Sequence, residues 1–303
     1  MADEEVEGMQ VDAPPGDEAA GEDRSVIVEL GEGSEAVPIV LRSLRTHEEY
    51  RGCEALERQV WGPEFTECVP ASLLMVTQKV GGVTAGAFDS EGGLVGMVYG
   101  LTGPRDGRLV HWSHMLAVSP DLRGRGLGRE LKLFQRRLVL DQGVGVMVWT
   151  YDPLVAGNAH LNLNRLGARP VAYLRDLYGS DTASELHSGL GTDRFLVEWD
   201  LEAEVASPGP HPADWRGASI VNLAPDGGLE DPPYELPHER RVRVEIPYDI
   251  QQVKAADPEA GARWRQATRH ALEGYLEAGY TVRGLLLDRD DQRCFYLLEL
   301  EPA

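Results

Sequence analysis

Short apolar or alternating runs, separated by Asp, Gly and Pro, follow one another along the middle of the chain. Such runs are typical of strands joined by tight turns. A first strand is predicted over 37–42, followed by a helix over 48–60 with Thr46 as its N-cap and a helix over 70–80. The runs then predict an antiparallel meander, whose strands cover residues 83–88, 94–101 and 109–118.

A helical period returns after residue 118. An amphipathic helix is predicted by the apolar residues that share one face of this segment, Leu127, Leu131, Phe134 and Leu138. The apolar run at 144–149 predicts a buried strand. A short helix over 158–166 should end at Gly167 as its C′ residue, and strands are expected over 171–173 and 195–199.

Changes in composition divide the chain into four parts. Residues 1–24 are rich in Asp, Glu, Ala, Gly and Pro, so a disordered acidic tail is expected there. Residues 25–205 should form the main domain, and the Pro-, Gly- and Asp-rich residues 206–237 a linker or extended crossing. Residues 238–303 predict a smaller β-α-β-β unit, so the fold class is α+β.

The chain is strongly acidic. Its 303 residues include 50 Asp and Glu against 29 Lys and Arg, a formal net charge of −21. Nucleic acids and anionic membranes would be repelled by such a surface, so neither is expected as a partner. Small or cationic partners fit better, and a homodimer is left open.

The cysteines and the N-terminal sequence indicate the cellular compartment of the protein. Cys53, Cys68 and Cys294 show no CxxC spacing and cannot all pair, so neither a zinc site nor a disulfide framework is indicated. The N-terminus lacks a basic stretch followed by an apolar one, and no apolar run approaches the roughly 20 residues that span a bilayer. A reducing, cytoplasmic location is therefore expected, and no metal.

The segment Arg123-Gly124-Arg125-Gly126-Leu127-Gly128 lies between a predicted strand and a predicted helix. Glycines there let backbone N–H groups converge on an anion at the start of the helix. A Walker A loop is excluded because the segment continues with Arg129 rather than Lys-Ser or Lys-Thr. Two alternatives stay open: a dinucleotide fingerprint with Asp152 as its acidic residue, and a tight turn that only opens a helix.

In sequence and position this segment resembles motif A of the GNAT acyltransferase superfamily, and the order of elements from Val37 to about Leu201 resembles that family's fold. The resemblance implies a central mixed, mostly antiparallel sheet flanked by helices, with the C-terminal unit as an addition. It implies acetyl-CoA or another acyl-CoA as co-substrate, and a strand that diverges from its neighbour to hold the pantetheine. The cofactor-binding residues that it implies are Leu116, Ala117, Val118, Arg123, Gly124, Arg125, Gly126, Leu127, Gly128 and Arg129.

Acyl transfer to an amine needs a base, because a primary amine is mostly protonated at neutral pH. His114 is the candidate, since alternation places it on the same face as Trp112 and Leu116; packing within the sheet is the alternative. In the family a tyrosine on the short helix often protonates the thiolate, but this chain has Leu163 there. Tyr178 is therefore the candidate acid, although core packing, Tyr151 and Tyr173 remain alternatives.

The short helix is rich in asparagine, which disfavours helix interiors. Asn158 is predicted as the helix N-cap, and Asn158 and Asn162 are both assigned to cofactor contacts, whereas Asn164 is expected to face solvent. The predicted function is transfer of an acetyl or succinyl group to the amine of a small metabolite such as an amino acid, whose carboxylate would bind Arg165, Arg169 or Arg175. A non-catalytic acyl-CoA-binding protein and a protein lysine acyltransferase are the alternatives.

Overall fold

The computed structural model describes residues 24–31, 36–179, 190–204, 211–224 and 227–301. Within them, eight strands form one sheet, in the order β1-β2-β3-β4-β5-β6-β8-β7. In this sheet only β5 and β6 are parallel neighbours, so the predicted mixed, mostly antiparallel sheet is confirmed. The strands are β1 Val26–Leu30, β2 Val37–Ser43, β3 Val83–Phe88, β4 Leu94–Arg105, β5 Arg108–Val118, β6 Val146–Tyr151, β7 Arg169–Leu174 and β8 Arg194–Asp200.

Helices cover both faces of this sheet. On one face lie α1, His47–Trp61, and α2, Ala71–Lys79, which pack on a core around Tyr99 and Ala117. On the other lies α3, Leu127–Leu140, whose predicted apolar face is buried. The predicted N-cap Thr46 is confirmed, because its Oγ1 accepts the N–H of Glu49 at 3.2 Å. The sheet is thus enclosed by two helical layers, as an apolar sheet requires.

The short helix after β6 starts earlier than predicted and changes type. It begins as α4, Ala156–Ala159, continues as a π-helical turn over His160–Leu166, and ends at Gly167 in the left-handed conformation, with φ 76°. Its N-cap is Val155. The prediction that Asn158 caps the helix is therefore wrong, and Asn158 lies exposed within the first turn.

A second sheet of four strands, in the order β11-β12-β10-β9, occurs among the described residues. Its core order after residue 238 is strand, helices, strand, strand, so the predicted β-α-β-β unit is present. One strand, β9, comes from the range predicted as linker and pairs in parallel with β10. The elements are β9 Ser219–Ile220, β10 Arg241–Ile246, α5 Ile250–Ala256, α6 Pro258–Glu277, β11 Tyr280–Asp288 and β12 Arg293–Leu300.

The predicted acidic tail covers residues 1–24, of which 1–23 lie outside the described residues. Arg24, its last residue, pairs with Asp141. The boundaries near 205 and 237 stay a prediction. Among the helices that the structure describes, none combines the length and the apolar character needed to cross a membrane.

The second sheet packs directly on the short helix and on the end of β6. Asn164 donates from Nδ2 to the carbonyl of Leu285 at 2.7 Å and accepts the N–H of Leu285 at 3.0 Å. Tyr296 donates to the carbonyl of Pro153 at 2.8 Å. The prediction that Asn164 faces solvent is wrong, because its amide pairs with β11 as a neighbouring strand would. One hydrophobic core runs through both sheets.

Candidate functional site

Strands β5 and β6 pair over a short distance and then diverge. Their paired positions are His111 with Met147 and Trp112 with Val148. Beyond them, β5 stays paired with β4 as far as Val118, and β6 stays paired with β8. The edge of β5 that faces β6 therefore has no strand partner over 113–118 in the described part of the chain. The resulting gap offers backbone donors and acceptors to an extended ligand.

A β-bulge interrupts β5 at this gap. Tyr99 pairs with Met115 and Gly100 with Ser113, so His114 is an additional residue on β5. The bulge reverses the alternation of side chains: Ser113 faces α3 before it, and Leu116 faces α3 after it. His114 lies on the opposite face, beside the ring of Tyr99 at a centroid distance of 6.0 Å. The prediction that His114 and Leu116 share a face is wrong for this reason.

His114 lies on the same face of the sheet as Tyr178, on the other side of the gap. His114 is two residues beyond Trp112, and Thr150 is two residues beyond its partner Val148. Thr150 points away from α3, because its neighbour Trp149 contacts Lys132 of that helix. The hydroxyls of Tyr178 and Thr150 are 3.1 Å apart. An imidazole and a phenol thus flank the gap on the face that carries α1 and α2.

The electrostatic surroundings of His114 favour its neutral form. The side chain is exposed at one edge, yet burial of the rest of the ring lowers the pKa of His114, and the nearby Glu67 only partly opposes this shift. A neutral imidazole at pH 7 has a free nitrogen that can accept a proton. The ring of Tyr178 lies 5.3 Å from the guanidinium of Arg194 and is 39% exposed.

The alternative tyrosines point into the core. Tyr151 lies 3.4 Å from the hydroxyl of Tyr296, and burial raises the pKa of Tyr151. Tyr173 donates to Asp193 at 2.6 Å, and burial together with the charge of Asp193 raises the pKa of Tyr173. Tyr178 is thus the candidate phenol whose hydroxyl lies beside the gap.

The glycine-rich segment links β5 to α3. A single 3-10 turn follows β5, Gly124 has a φ of 76°, and Gly126 caps α3 with φ 93° and ψ −6°. The N–H groups of Arg129 and Glu130 bond to the carbonyl of Gly126. The N–H groups of 124–128 have no acceptor among the residues that the structure describes. Left-handed glycines therefore present a row of free donors at the helix start.

Arginines surround this row. Arg123 and Arg125 are exposed, and Arg129 pairs with Glu130 at 2.9 Å. The Nε of Arg129 is buried and has no hydrogen-bond partner in the described chain. A buried donor without a partner is costly, and an anionic group at this position would satisfy it. The segment therefore fits a phosphate or pyrophosphate group.

The residues of the short helix are distributed between core and solvent. Asn162 is buried, and its Oδ1 accepts the indole N–H of Trp149 at 3.3 Å, which fixes one side of the amide. Leu163 lies in the hydrophobic core, and Asn158 is exposed. Among the predicted carboxylate ligands, Arg175 is bound by Glu273, whereas Arg165 and Arg169 are exposed.

Sequence reasoning missed a buried polar network beneath the gap. Lys132 is 2% exposed; its Nζ donates to Ser113 at 2.8 Å and lies 3.7 Å from the ring centre of Trp149. Gln135 joins Ser113 to His111 through contacts of 2.8 and 3.0 Å. Burial lowers the pKa of Lys132 well below its ordinary value and that of His111 to about 3. The only sequence signal was the polar residues that flank the apolar face of α3.

Replacing Lys132 with methionine is expected to remove a pH dependence of stability. Because burial lowers the pKa of Lys132, the unfolded chain binds this proton more readily than the folded one. The unfolding free energy of the wild type should therefore rise with pH up to about 10.4, by up to about 1.4 kcal/mol per unit from this group. Urea unfolding between neutral pH and about pH 9 measures the slope.

The matched control for this prediction is Lys79→Met, which removes an exposed lysine. The slope should fall in Lys132→Met and stay at the wild-type value in Lys79→Met. Equal slopes in all three proteins would contradict a lowered pKa of Lys132 in the folded protein.

Comparison with known proteins finds similarity among solved structures. No protein-family model matches the chain, and no curated protein matches it. The ribosomal-protein-S18-alanine N-acetyltransferase from Escherichia coli is 16% identical, over 57% of this chain and 99% of that one, with a TM-score of 0.43. An N-acetyltransferase from Staphylococcus aureus is 12% identical, over 54% and 99%, with a TM-score of 0.44.

A third similar structure contains the coenzyme. A chain of the NatC complex, solved with Gag peptide and CoA, is 16% identical over 54% of this chain and 98% of its own length, with a TM-score of 0.42. Over slightly more than half of its length, the chain is thus similar to solved N-acetyltransferases.

Proposed function

We propose that this chain is a GNAT-type N-acyltransferase that moves an acyl group, acetyl or succinyl, from coenzyme A to the amine of a small metabolite. The observation that carries the proposal is the gap between β5 and β6, which joins the free N–H groups of 124–128 to the pair His114 and Tyr178. An anion site alone would suit many ligands. An anion site, followed along the gap by a free strand edge and then by a base–acid pair, suits a long acyl thioester.

Each part of the chain has a task in this proposal. The free N–H groups of 124–128 and the buried Nε of Arg129 bind the pyrophosphate, and the open edge of β5 at Leu116, Ala117 and Val118 pairs with the pantetheine amides. Bound acyl-CoA supplies a thioester that an amine can attack. Asn162 contributes from the short helix through its amide nitrogen, since its Oδ1 already accepts the indole N–H of Trp149.

His114 and Tyr178 divide the proton transfers. His114 accepts a proton from the amine as the new N–C bond forms, and Tyr178 gives a proton to the sulfur as the C–S bond breaks. The two groups lie on opposite sides of the gap, so each can serve one end of the reaction without competing for the same proton. The acceptor is an amine of a small metabolite; its carboxylate would have to compete with Glu273 for Arg175, because the two side chains form an ion pair.

Replacing His114 with glutamine is expected to lower kcat/KM about 10- to 100-fold. Because the pKa of His114 is lowered, the neutral base persists below pH 6.5 and kcat/KM should fall only at more acidic pH. Stopped assays across this range measure the acid limb. The limb should disappear in His114→Gln, and a variant with the wild-type pH profile would exclude His114 as the base.

Release of free thiol tests the function itself. Acetyl-CoA and succinyl-CoA are each mixed with the protein and a panel of small amines, amino acids and a lysine-rich peptide, and coenzyme A thiol is followed with a chromogenic disulfide. Release with a small amine supports the proposal, and release with the peptide alone would indicate a protein lysine acyltransferase. Coenzyme A binding without release in any mixture would indicate a non-catalytic binding protein, which Leu163 in place of a tyrosine favours.

A cytosolic location is part of the same proposal. Cys53, Cys68 and Cys294 are all free thiols. Free cysteines persist in a reducing compartment, which supports this location.

A further inference from the structure

Helix α6 of the C-terminal unit carries two arginines on one side, Arg265 and Arg269, four residues apart. Each one binds a carboxylate of the main domain with two nitrogen–oxygen contacts. Nη2 of Arg265 lies 2.8 and 2.7 Å from the two oxygens of Asp152. Nε and Nη2 of Arg269 lie 2.6 and 2.7 Å from the two oxygens of Asp193. One face of α6 therefore binds two separate segments of the main domain, one at Asp152 and one at Asp193.

The first place is the end of β6. Asp152 follows that strand directly and is two residues from Thr150, the hydrogen-bond partner of Tyr178. Asp152 and Arg265 are both almost fully buried. A buried, two-oxygen contact of this kind restricts the position of the strand end. Arg265 thus anchors the strand that presents the Thr150 hydroxyl.

The second place is the turn that carries Tyr178. Asp193 is fully buried and accepts the N–H of Asp176 at 3.1 Å, while Arg269 also contacts the carboxylate of Asp176 at 3.3 Å. Thr192, beside Asp193, accepts the N–H of Tyr178 through Oγ1 at 3.0 Å. The path from α6 to the Tyr178 backbone is therefore short: ion pairs with Asp193 and Asp176, one peptide link from Asp193 to Thr192, and the hydrogen bond from Tyr178 to Thr192.

The backbone of this turn is strained. Asp176 has a φ of 42°, a left-handed conformation that costs free energy for a residue other than glycine. Such a conformation persists only when neighbouring contacts impose it. The contacts of Asp176 come from Asp193, Thr192 and Arg269, so α6 contributes directly to keeping the turn in this shape.

We propose that α6 of the C-terminal unit positions Tyr178 at the gap, with Arg269 as the positioning residue for the Tyr178 turn and Arg265 as that for the Thr150 strand. The proposal rests on the acyl transfer proposed above. It gives the C-terminal unit a role in catalysis through geometry, since no atom of α6 has to touch the reacting groups. Loss of the Arg269 contacts should leave Tyr178 present but poorly placed.

The test compares Arg269→Lys and Arg269→Ala with Arg263→Ala. Arg263 lies on the same helix, but its ion pair is exposed and reaches only Asp257, the N-cap residue of α6. Arg269→Ala leaves the buried Asp193 without its cation and could unfold, whereas Arg269→Lys keeps the charge and loses the planar two-nitrogen contact. The lysine variant therefore keeps the test valid in a folded protein.

The first measurement needs no acyl transfer. Hydrogen–deuterium exchange of the peptide covering Asp176–Gly179 is followed by mass spectrometry in the protein without added coenzyme. Exchange should be at least about tenfold faster in Arg269→Lys than in the wild type, because the side-chain bonds that protect these amides loosen. Arg263→Ala should match the wild type. Wild-type exchange in Arg269→Lys would overturn the proposal.

The second measurement uses the amine that the wild type acylates. We expect kcat to fall about 10- to 100-fold in Arg269→Lys, with KM for acyl-CoA within about twofold, since misplacement of a reacting group by about 1 Å has effects of this size. Unchanged kcat would overturn the positioning role. A wild type that acylates nothing would instead refute the proposed function, and the exchange result would still decide whether α6 holds the turn.

Discussion

Replacing Gly126 with valine is expected to weaken coenzyme A binding by at least about 100-fold, which corresponds to about 2.7 kcal/mol. Gly126 has a φ of 93° at the start of α3, a conformation that a β-branched residue does not adopt without strain. To relieve the strain the turn must change shape, and the free N–H groups of 124–128 would no longer converge. Several charge-assisted hydrogen bonds, each about 1.5–3 kcal/mol, would be weakened together.

Isothermal titration of the apoprotein with coenzyme A measures this effect. The matched control is Gly107→Val, because Gly107 also has a positive φ, 78°, and open space where a side chain would project, but lies in the turn between β4 and β5. Both variants carry the same kind of backbone strain, so only Gly126→Val should lose affinity. Wild-type affinity in Gly126→Val would refute the assignment of the glycine-rich segment as the pyrophosphate site.

Replacing Tyr178 with phenylalanine is expected to lower kcat about 100-fold and to leave coenzyme A binding unchanged. The substitution removes the hydroxyl that lies 3.1 Å from Thr150 and retains the ring beside Arg194. Without that hydroxyl the thiolate must take its proton from water, while the proposed pyrophosphate site on the glycine-rich segment is untouched. The expected pattern is therefore a loss in kcat at constant affinity for the coenzyme.

Steady-state assays with the accepted amine, together with titration by coenzyme A, separate the two parameters. Tyr248→Phe provides the same chemical change at an exposed tyrosine after β10 and should behave as the wild type. If Tyr178→Phe keeps wild-type kcat, another group or solvent protonates the sulfur. A parallel loss of coenzyme affinity would place Tyr178 in binding instead of proton transfer.

Together, Gly126→Val and Tyr178→Phe should separate coenzyme binding from the chemical step. Gly126 is at the start of α3 and Tyr178 is at the gap beyond the β5 bulge, so a binding defect and a rate defect should separate between them. A third variant, Arg269→Lys in helix α6, should reproduce part of the loss in kcat seen in Tyr178→Phe, although its phenol is intact.

Local sequence was sufficient for elements whose stability depends on near neighbours. Thr46 and Glu49 form the helix start that their spacing predicts, and the glycine-rich segment opens α3 where a row of free N–H groups was expected. Gly167 ends the short helix in the left-handed conformation. In each case the contacts span a few residues, so composition and spacing contain the necessary information.

Only the tertiary structure decided which side chains meet at the site. One additional residue in β5, His114, reverses every later side chain of that strand, and strand alternation alone cannot reveal a bulge. Asn164 pairs with Leu285, and Arg269 with Asp193, across long sequence separations. The sequence by itself determined the glycine-rich start of α3 and the class of fold, because helix starts, turns and the hydrophobic period of each element depend on residues close together in the chain. The placement of His114 and Tyr178 on one face of the gap, and the contacts of α6 with the Tyr178 turn, were decided by packing between distant segments, which no local pattern specifies.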